Sequence, residues 1–196
     1  MAELVPTSRI AETGEWPLLI ETLVSSFDAD PAVRWMYPDA QQYQRHFPAF
    51  VHAFGGRAIE HGTAYCADWY SGVALWLPPG VGPDEDALMA LLEATVDERE
   101  RPALFAMFEQ MGSYHPSEEH WYLPLLGVEA SRQGEGYGSA LMKHALARCD
   151  ADKRPAYLEA TSRQSVPFYE RHGFAQLGTI QVGESPPIFP MLRAAR

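Results

Sequence analysis

Apolar positions recur along this chain at two periods, and the changeovers between them mark the elements. In "EWPLLIETLVSSF" (15–27), Leu19, Leu23, Val24 and Phe27 fall at helical spacing. "QQYQRHFPAFVHAF" (41–54) repeats that pattern up to Gly55 and Gly56, with Pro48 as a source of a kink. Before the first helix, "LVPTSRIA" (4–11) reads as a strand; between the two, "DPAVRWMYPD" (30–39) reads as an aromatic connection punctuated by prolines. "GTAYCAD" and "GVALWLPPG" form a strand pair closed by two prolines. Pro83 and the acids after it suit the start of a helix over 83–100, and Pro102 opens a short helix that ends near Gly112.

Beyond 115–116 the pattern becomes strand, helix, strand, helix, strand: "HWYLPLLGV", "GYGSALMKHALARCD", "AYLEA", "VPFYERHG", then "FAQLGTIQV" with "PIFPMLRA". Within the helix 137–149, Leu141 shares a face with Ala145, and Met142 with Leu146 and Cys149. Alternating strands and helices after a helical and hairpin half point to an α/β or α+β sheet covered by helices, with a cleft near the strand 120–128. No linker or repeat divides the chain, so 1–196 reads as one domain.

Composition narrows the function. The 196 residues are 46% hydrophobic, enough for one core, and 15 basic against 26 acidic residues leave a net charge of −11. That balance disfavours nucleic acid as a partner. Cys66 and Cys149 stand alone, without the spacing of a zinc site or a disulfide framework, and read as buried thiols; no metal is expected. The first residues lack a basic segment followed by an apolar one, and no apolar run is long enough for a membrane span, so a cytoplasmic protein is expected.

The most informative stretch is "GVEASRQGEGYGSALM". Glycines that alternate between a strand and a helix expose backbone N–H groups at the positive end of the helix dipole, which suits phosphate; a tight turn alone would also use them. A Walker A loop would end in Gly-Lys-Ser/Thr, but Ser139 and Ala140 follow Gly138. A dinucleotide fingerprint would open a multi-strand sheet, yet only 58 residues follow Gly138.

This stretch resembles the acetyl-CoA motif of the GNAT superfamily of N-acetyltransferases, Q/R-x-x-G-x-G/A after a strand, filled here by Gln133, Gly136 and Gly138. "YLEATSRQSVPFYERHGF" (157–174) resembles the superfamily's next strand and short helix, in the expected order. With "ALWLPPG", the wording is most similar to the branch that contains puromycin N-acetyltransferase. The resemblance implies a mixed, mostly antiparallel sheet, flanked by helices and splayed at the acetyl-CoA strand. It also implies transfer of an acetyl group from acetyl-CoA to a primary amine by direct attack.

By the same resemblance, the backbone of Leu126, Gly127 and Val128 pairs with the pantetheine arm. The loop Gln133, Gly134, Glu135, Gly136, Tyr137, Gly138 and Ser139 holds the pyrophosphate. Tyr169 protonates the leaving thiolate, and Glu159 is a base acting through water or else a structural carboxylate. Ser165 stands where the family often has a CoA-contacting asparagine, and as a residue before Val166 and Pro167 it also suits a helix N-cap. Lys143, His144 and Arg148 either meet the 3′-phosphate or form a solvated face. Pro124 fits an interrupted or bulged strand, or else an ordinary edge strand. His120 has a ring suited to neutral pH but lies roughly 20 Å from Leu126 along an unbent strand, which leaves it at the rim.

The acceptor pocket is expected from the N-terminal half, with Trp35 and Tyr37 joined by Tyr122. A small-molecule or peptide amine is the expected partner, without membrane contact, and a homodimer is a possible assembly. The rival reading is a non-catalytic acyl-CoA sensor or partner module on the same fold.

Overall fold

The computed structural model describes residues 6–196. Seven strands form one sheet, in the order β1-β2-β3-β4-β5-β7-β6. In chain order, β1 (Ser8–Ile10) leads into α1 (Trp16–Ser26), α2 (Pro31–Met36), α3 (Ala40–Gly55) and the single turn α4 (Arg57–Glu60). The hairpin β2 (Ala64–Ala67) and β3 (Gly72–Leu77) follows, then α5 (Glu85–Thr95) and α6 (Arg101–Tyr114). The last part comprises β4 (Trp121–Val128), α7 (Tyr137–Ala151), β5 (Ala156–Ala160), α8 (Val166–Arg171), β6 (Ala175–Gln176) and β7 (Phe189–Arg193). The mixed sheet expected from the sequence is therefore present, with β4 and β5 parallel and the other named pairs antiparallel.

Several expectations shift in detail. The first strand is confined to Ser8–Ile10, and residues 4 and 5 of its expected span lie outside the described residues. The segment 30–39 is more than a connection: Asp30 accepts from the amides of Ala32 and Val33, and Pro31 occupies the first helical position, so α2 forms. The helix expected over 83–100 ends at Thr95, and the short helix after it runs the 14 residues of α6. Pro48 lies inside α3, whose assignment runs unbroken across it. Most of 174–182 is irregular, with pairing at Ala175, Gln176 and Ile180.

Each face of the sheet buries its own core. On one side, α1 to α6 pack Leu19, Leu23, Tyr43, Phe47 and Phe54 against Leu75, Tyr122, Leu125 and Tyr157. On the other, Leu141, Met142, Ala145, Leu146 and Cys149 of α7 cover Trp76, Trp121, Leu123 and Leu158, as their helical spacing predicts. Cys149 sits in that second core as a free thiol that burial pushes up to about 12, which makes it a packing residue and a poor nucleophile.

The alternation of faces breaks once, in β4. Leu75 pairs with Leu125, whereas Leu77 pairs with Tyr122, so β4 carries one residue more than β3 across this step. This is a β-bulge at Leu123 and Pro124, and it puts Tyr122 and Leu125 on the same face. Proline has no N–H to lose there.

Candidate active site

The bulge opens the sheet. Parallel pairing ties Trp121, Tyr122 and Leu123 to Ala156, Tyr157 and Leu158 and stops there. Beyond it β4 continues with β3, while Glu159 and Ala160 continue with Pro190 and Phe189 of β7. The two strands therefore diverge at Pro124 and Glu159, and the free edge of β4 faces a cleft of about 560 Å³.

The far wall is the turn into α7. Gly136, the residue before the helix, has φ +93°, a left-handed value open to glycine, and no side chain caps the helix. The first-turn amides of this 15-residue helix lack intrahelical acceptors and stand at the cleft wall, a fit for an anionic group. Arg132 and Arg171 line the same cleft. The Arg132 guanidinium lies 4.9 Å from the centre of the Tyr137 ring, donates to the Tyr137 hydroxyl, and reaches Glu135 at 3.0 Å.

The floor comes from β5 and α8. Glu159 lies at the fork with its side chain 3% exposed, and His115, at the end of α6, brings Nε2 to 3.3 Å from Glu159 Oε1. That contact has ion-pair distance but not the directed geometry of a hydrogen bond, and Oε1 has no hydrogen-bond partner among the described residues. Tyr169 of α8 lines the cleft with its ring buried. Burial, and then the negative charge of Asp30, raise its hydroxyl well above the ordinary phenol value. Asp30 is itself raised by burial, against the bonds it accepts from Thr161, Val33 and Ala32.

A family model described as the acetyltransferase (GNAT) domain matches residues 92–194, more than half of the chain. The chain belongs to this family. Its fold is also that of solved acetyltransferases. One is described as "histone acetyltransferase HPA2 and related acetyltransferase" from Corynebacterium glutamicum, 27% identical over 98% of both chains with a TM-score of 0.70. Arylalkylamine N-acetyltransferase 2 from Aedes aegypti is 14% identical, covers 97% of this chain and 99% of its own, and has a TM-score of 0.69. Drosophila melanogaster polyamine N-acetyltransferase is 16% identical over 96% and 99%, with a TM-score of 0.64.

In this GNAT domain the cleft gathers most residues singled out from the sequence: Leu126, Gly127, Val128, Gln133, Gly134, Gly136, Tyr137, Gly138, Ser139, Glu159, Ser165 and Tyr169. Glu135 is not among the lining residues; its carboxylate pairs with Arg132 instead. Ser165 lines the cleft but does not cap α8 through its side chain: its hydroxyl donates to the Ser162 carbonyl at 2.8 Å. Lys143, His144 and Arg148 lie away from the cleft. His144 meets Ser8, and Arg148 covers the Trp121 ring and reaches the Gly62 carbonyl.

The expected acceptor wall is dispersed. Tyr37 is fully buried, its hydroxyl 2.8 Å from Thr95 Oγ1, and Trp35 packs on the first core; neither lines the cleft. Tyr122 borders a second cavity of about 610 Å³, shared with His115, His120, Phe54, Phe108 and Met111. Sequence reasoning missed Asp30, Thr161, Arg132, Arg171 and His115. Asp30 alone carried a local signal, since Asp-Pro is a helix start.

Among the described residues, no three His, Cys, Asp or Glu side chains gather as a metal site requires. No helix among them is long and apolar enough to cross a membrane.

Proposed function

We propose that this protein transfers the acetyl group of acetyl-CoA to a primary amine, with Tyr169 as general acid and Glu159 as general base. The observation that carries this reading is the fork itself: one cleft is bounded by the free edge of β4, the uncapped start of α7, a buried carboxylate and a buried phenol. Acetyl-CoA, as substrate, supplies an activated thioester. The chain's residues would do the rest.

The edge of Leu126 to Val128 offers backbone groups to an extended amide-bearing arm, as an added strand would use them. The amides at the start of α7, with Arg132 and Arg171, offer donors and positive charge to a pyrophosphate. Glu159 takes the proton that an attacking amine must lose, directly or through one water. Tyr169, whose high pKa keeps it protonated at neutral pH, can hand a proton to the departing thiolate and recover it from solvent.

The acceptor is proposed to be a small primary amine. The net charge of −11 favours approach of a cation, and two structural neighbours are described by their action on arylalkylamines and polyamines. Kinship with the puromycin N-acetyltransferase branch, placement in the cytoplasm and a homodimeric assembly belong to the same proposal.

The experiment is thiol release from acetyl-CoA, followed with an arylalkylamine, a linear polyamine, an aminoglycoside and a short peptide. Release that depends on at least one amine is expected. Thermal stabilisation by CoA with no amine dependence across the panel would instead mark a binding protein.

A further inference from the structure

The 3.3 Å contact between His115 and Glu159 is one end of a longer line. His115 Nδ1 lies 3.1 Å from His120 Nε2, and His120 Nδ1 lies 2.8 Å from the Glu118 carbonyl oxygen. The line starts at the reaction cleft, which Glu159 borders, and ends at the second cavity, which both histidines border.

Hydrogen-bond accounting orients it. A carbonyl only accepts, so His120 Nδ1 must carry a proton. A neutral His120 then presents a bare Nε2, which accepts from His115 Nδ1–H. A neutral His115 is left with a bare Nε2 facing a Glu159 carboxylate oxygen: two acceptors in contact, matching the unpartnered Oε1. The mismatch is relieved by one proton arriving at this point.

We infer that His115 and His120 form a proton path that carries the acceptor's proton from Glu159 to the second cavity. The inference rests on the reading of Glu159 as the base. An ammonium acceptor loses one N–H proton to the Glu159 carboxylate and becomes a neutral amine. Glu159 passes that proton to His115 Nε2, and His115 passes its Nδ1 proton to His120 Nε2. The doubly protonated His120 releases its Nδ1 proton to water of the second cavity, so one proton enters and one leaves, and proton exchange with water returns both rings to their starting tautomers. Burial, its main influence, holds the His120 ring below the ordinary imidazole value, which favours that release.

The groups around the path are few. Tyr122 from β4 and Tyr157 from β5 pack on the His115 ring, with centroids at 4.7 and 4.3 Å. Burial and then the Glu159 charge push both hydroxyls up, so they remain neutral. Tyr114 of α6 stands near Tyr157, and the Glu118 carboxylate acts weakly on His120. Glu119 is paired with Arg154 at 3.0 Å, and Glu85 of α5 stands on the cavity wall. Both histidines act through Glu159 and are positioning residues.

Two measurements test the path. Side-chain ¹⁵N NMR of the wild-type protein should find His120 protonated at Nδ1 and bare at Nε2 at neutral pH, independent of any activity. An Nε2–H tautomer would overturn the path. With a working amine, His115→Ala should lower kcat about 10-fold or more, approaching the roughly 10²-fold floor for loss of a general base, and should alter the acidic limb of the pH–rate profile. Added imidazole should restore rate, and stabilisation by CoA should be unchanged. A wild-type profile, or a loss that imidazole does not rescue, would reduce His115 to packing. His120→Gln, in the half-buried outer ring, carries the same kinetic test should His115→Ala fail to fold. If Glu159→Gln keeps full turnover while the tautomers are as stated, the base assignment fails separately.

Discussion

Gly127 of β4 and Ser26 at the end of α1 approach so closely that a Cβ added to Gly127 would stand 1.9 Å from Ser26 Oγ and 2.9 Å from Ser26 Cβ. The helix thus lies directly on the strand whose free edge borders the cleft. Gly127→Ala should cost about 1–3 kcal/mol by overpacking, a fall in Tm of roughly 2–12 °C for a chain of this size. Adding Ser26→Gly should recover most of it. Thermal unfolding of the single and double variants checks the coupling; equal losses in both would mean that the two residues do not clash.

Asp30 links a helix cap to the proposed acid. Asparagine also caps helices well, so Asp30→Asn should keep α2. The folded Asp30 carboxyl is raised by burial, so its contribution is fully present below the unfolded value and is lost as pH rises through the folded one. Asp30→Asn should therefore gain stability relative to wild type from acidic to neutral pH, measured by denaturant unfolding. Its alkaline limb of kcat/KM should move to lower pH, because burial still raises Tyr169 but the smaller contribution of the Asp30 charge is gone. An unmoved limb would separate the two residues.

Glu15 supplies the opposite sign. Arg9 above all, with Tyr70 and the Glu12 amide, holds its carboxyl down at about 2. Such a group stabilises above the unfolded value, and the effect is lost as pH falls through the folded one. Wild type should exceed Glu15→Gln in stability at pH 5, by a small amount at this surface site, and the difference should fade toward pH 2. A constant difference across that range would assign the effect to packing.

Much of the donor side was legible in the sequence, because its signals are local. Alternating glycines between Gln133 and Ser139 mark the loop by conformation, Pro124 marks the bulge by its missing N–H, and Tyr169 and Glu159 stand at fixed places in a recognised pattern. The acceptor side was not legible. Tyr37 reads as a pocket wall, but it is the residue that follows the short helix α2, and its ring is buried in the core. His115 reaches Glu159 across 44 residues of sequence, brought there by the end of α6. Strand spacing bears on the distance from His120 to Leu126 alone, and a contact through a second ring leaves no trace in it.

The central claim is that Tyr169 donates the proton that lets the thiolate leave. Its most direct test is steady-state kinetics of Tyr169→Phe with acetyl-CoA and a working amine, on protein shown to be folded. Loss of a positioned acid predicts a fall in kcat of roughly 10²- to 10⁴-fold with little change in affinity for acetyl-CoA. Full turnover by a folded Tyr169→Phe would contradict the account.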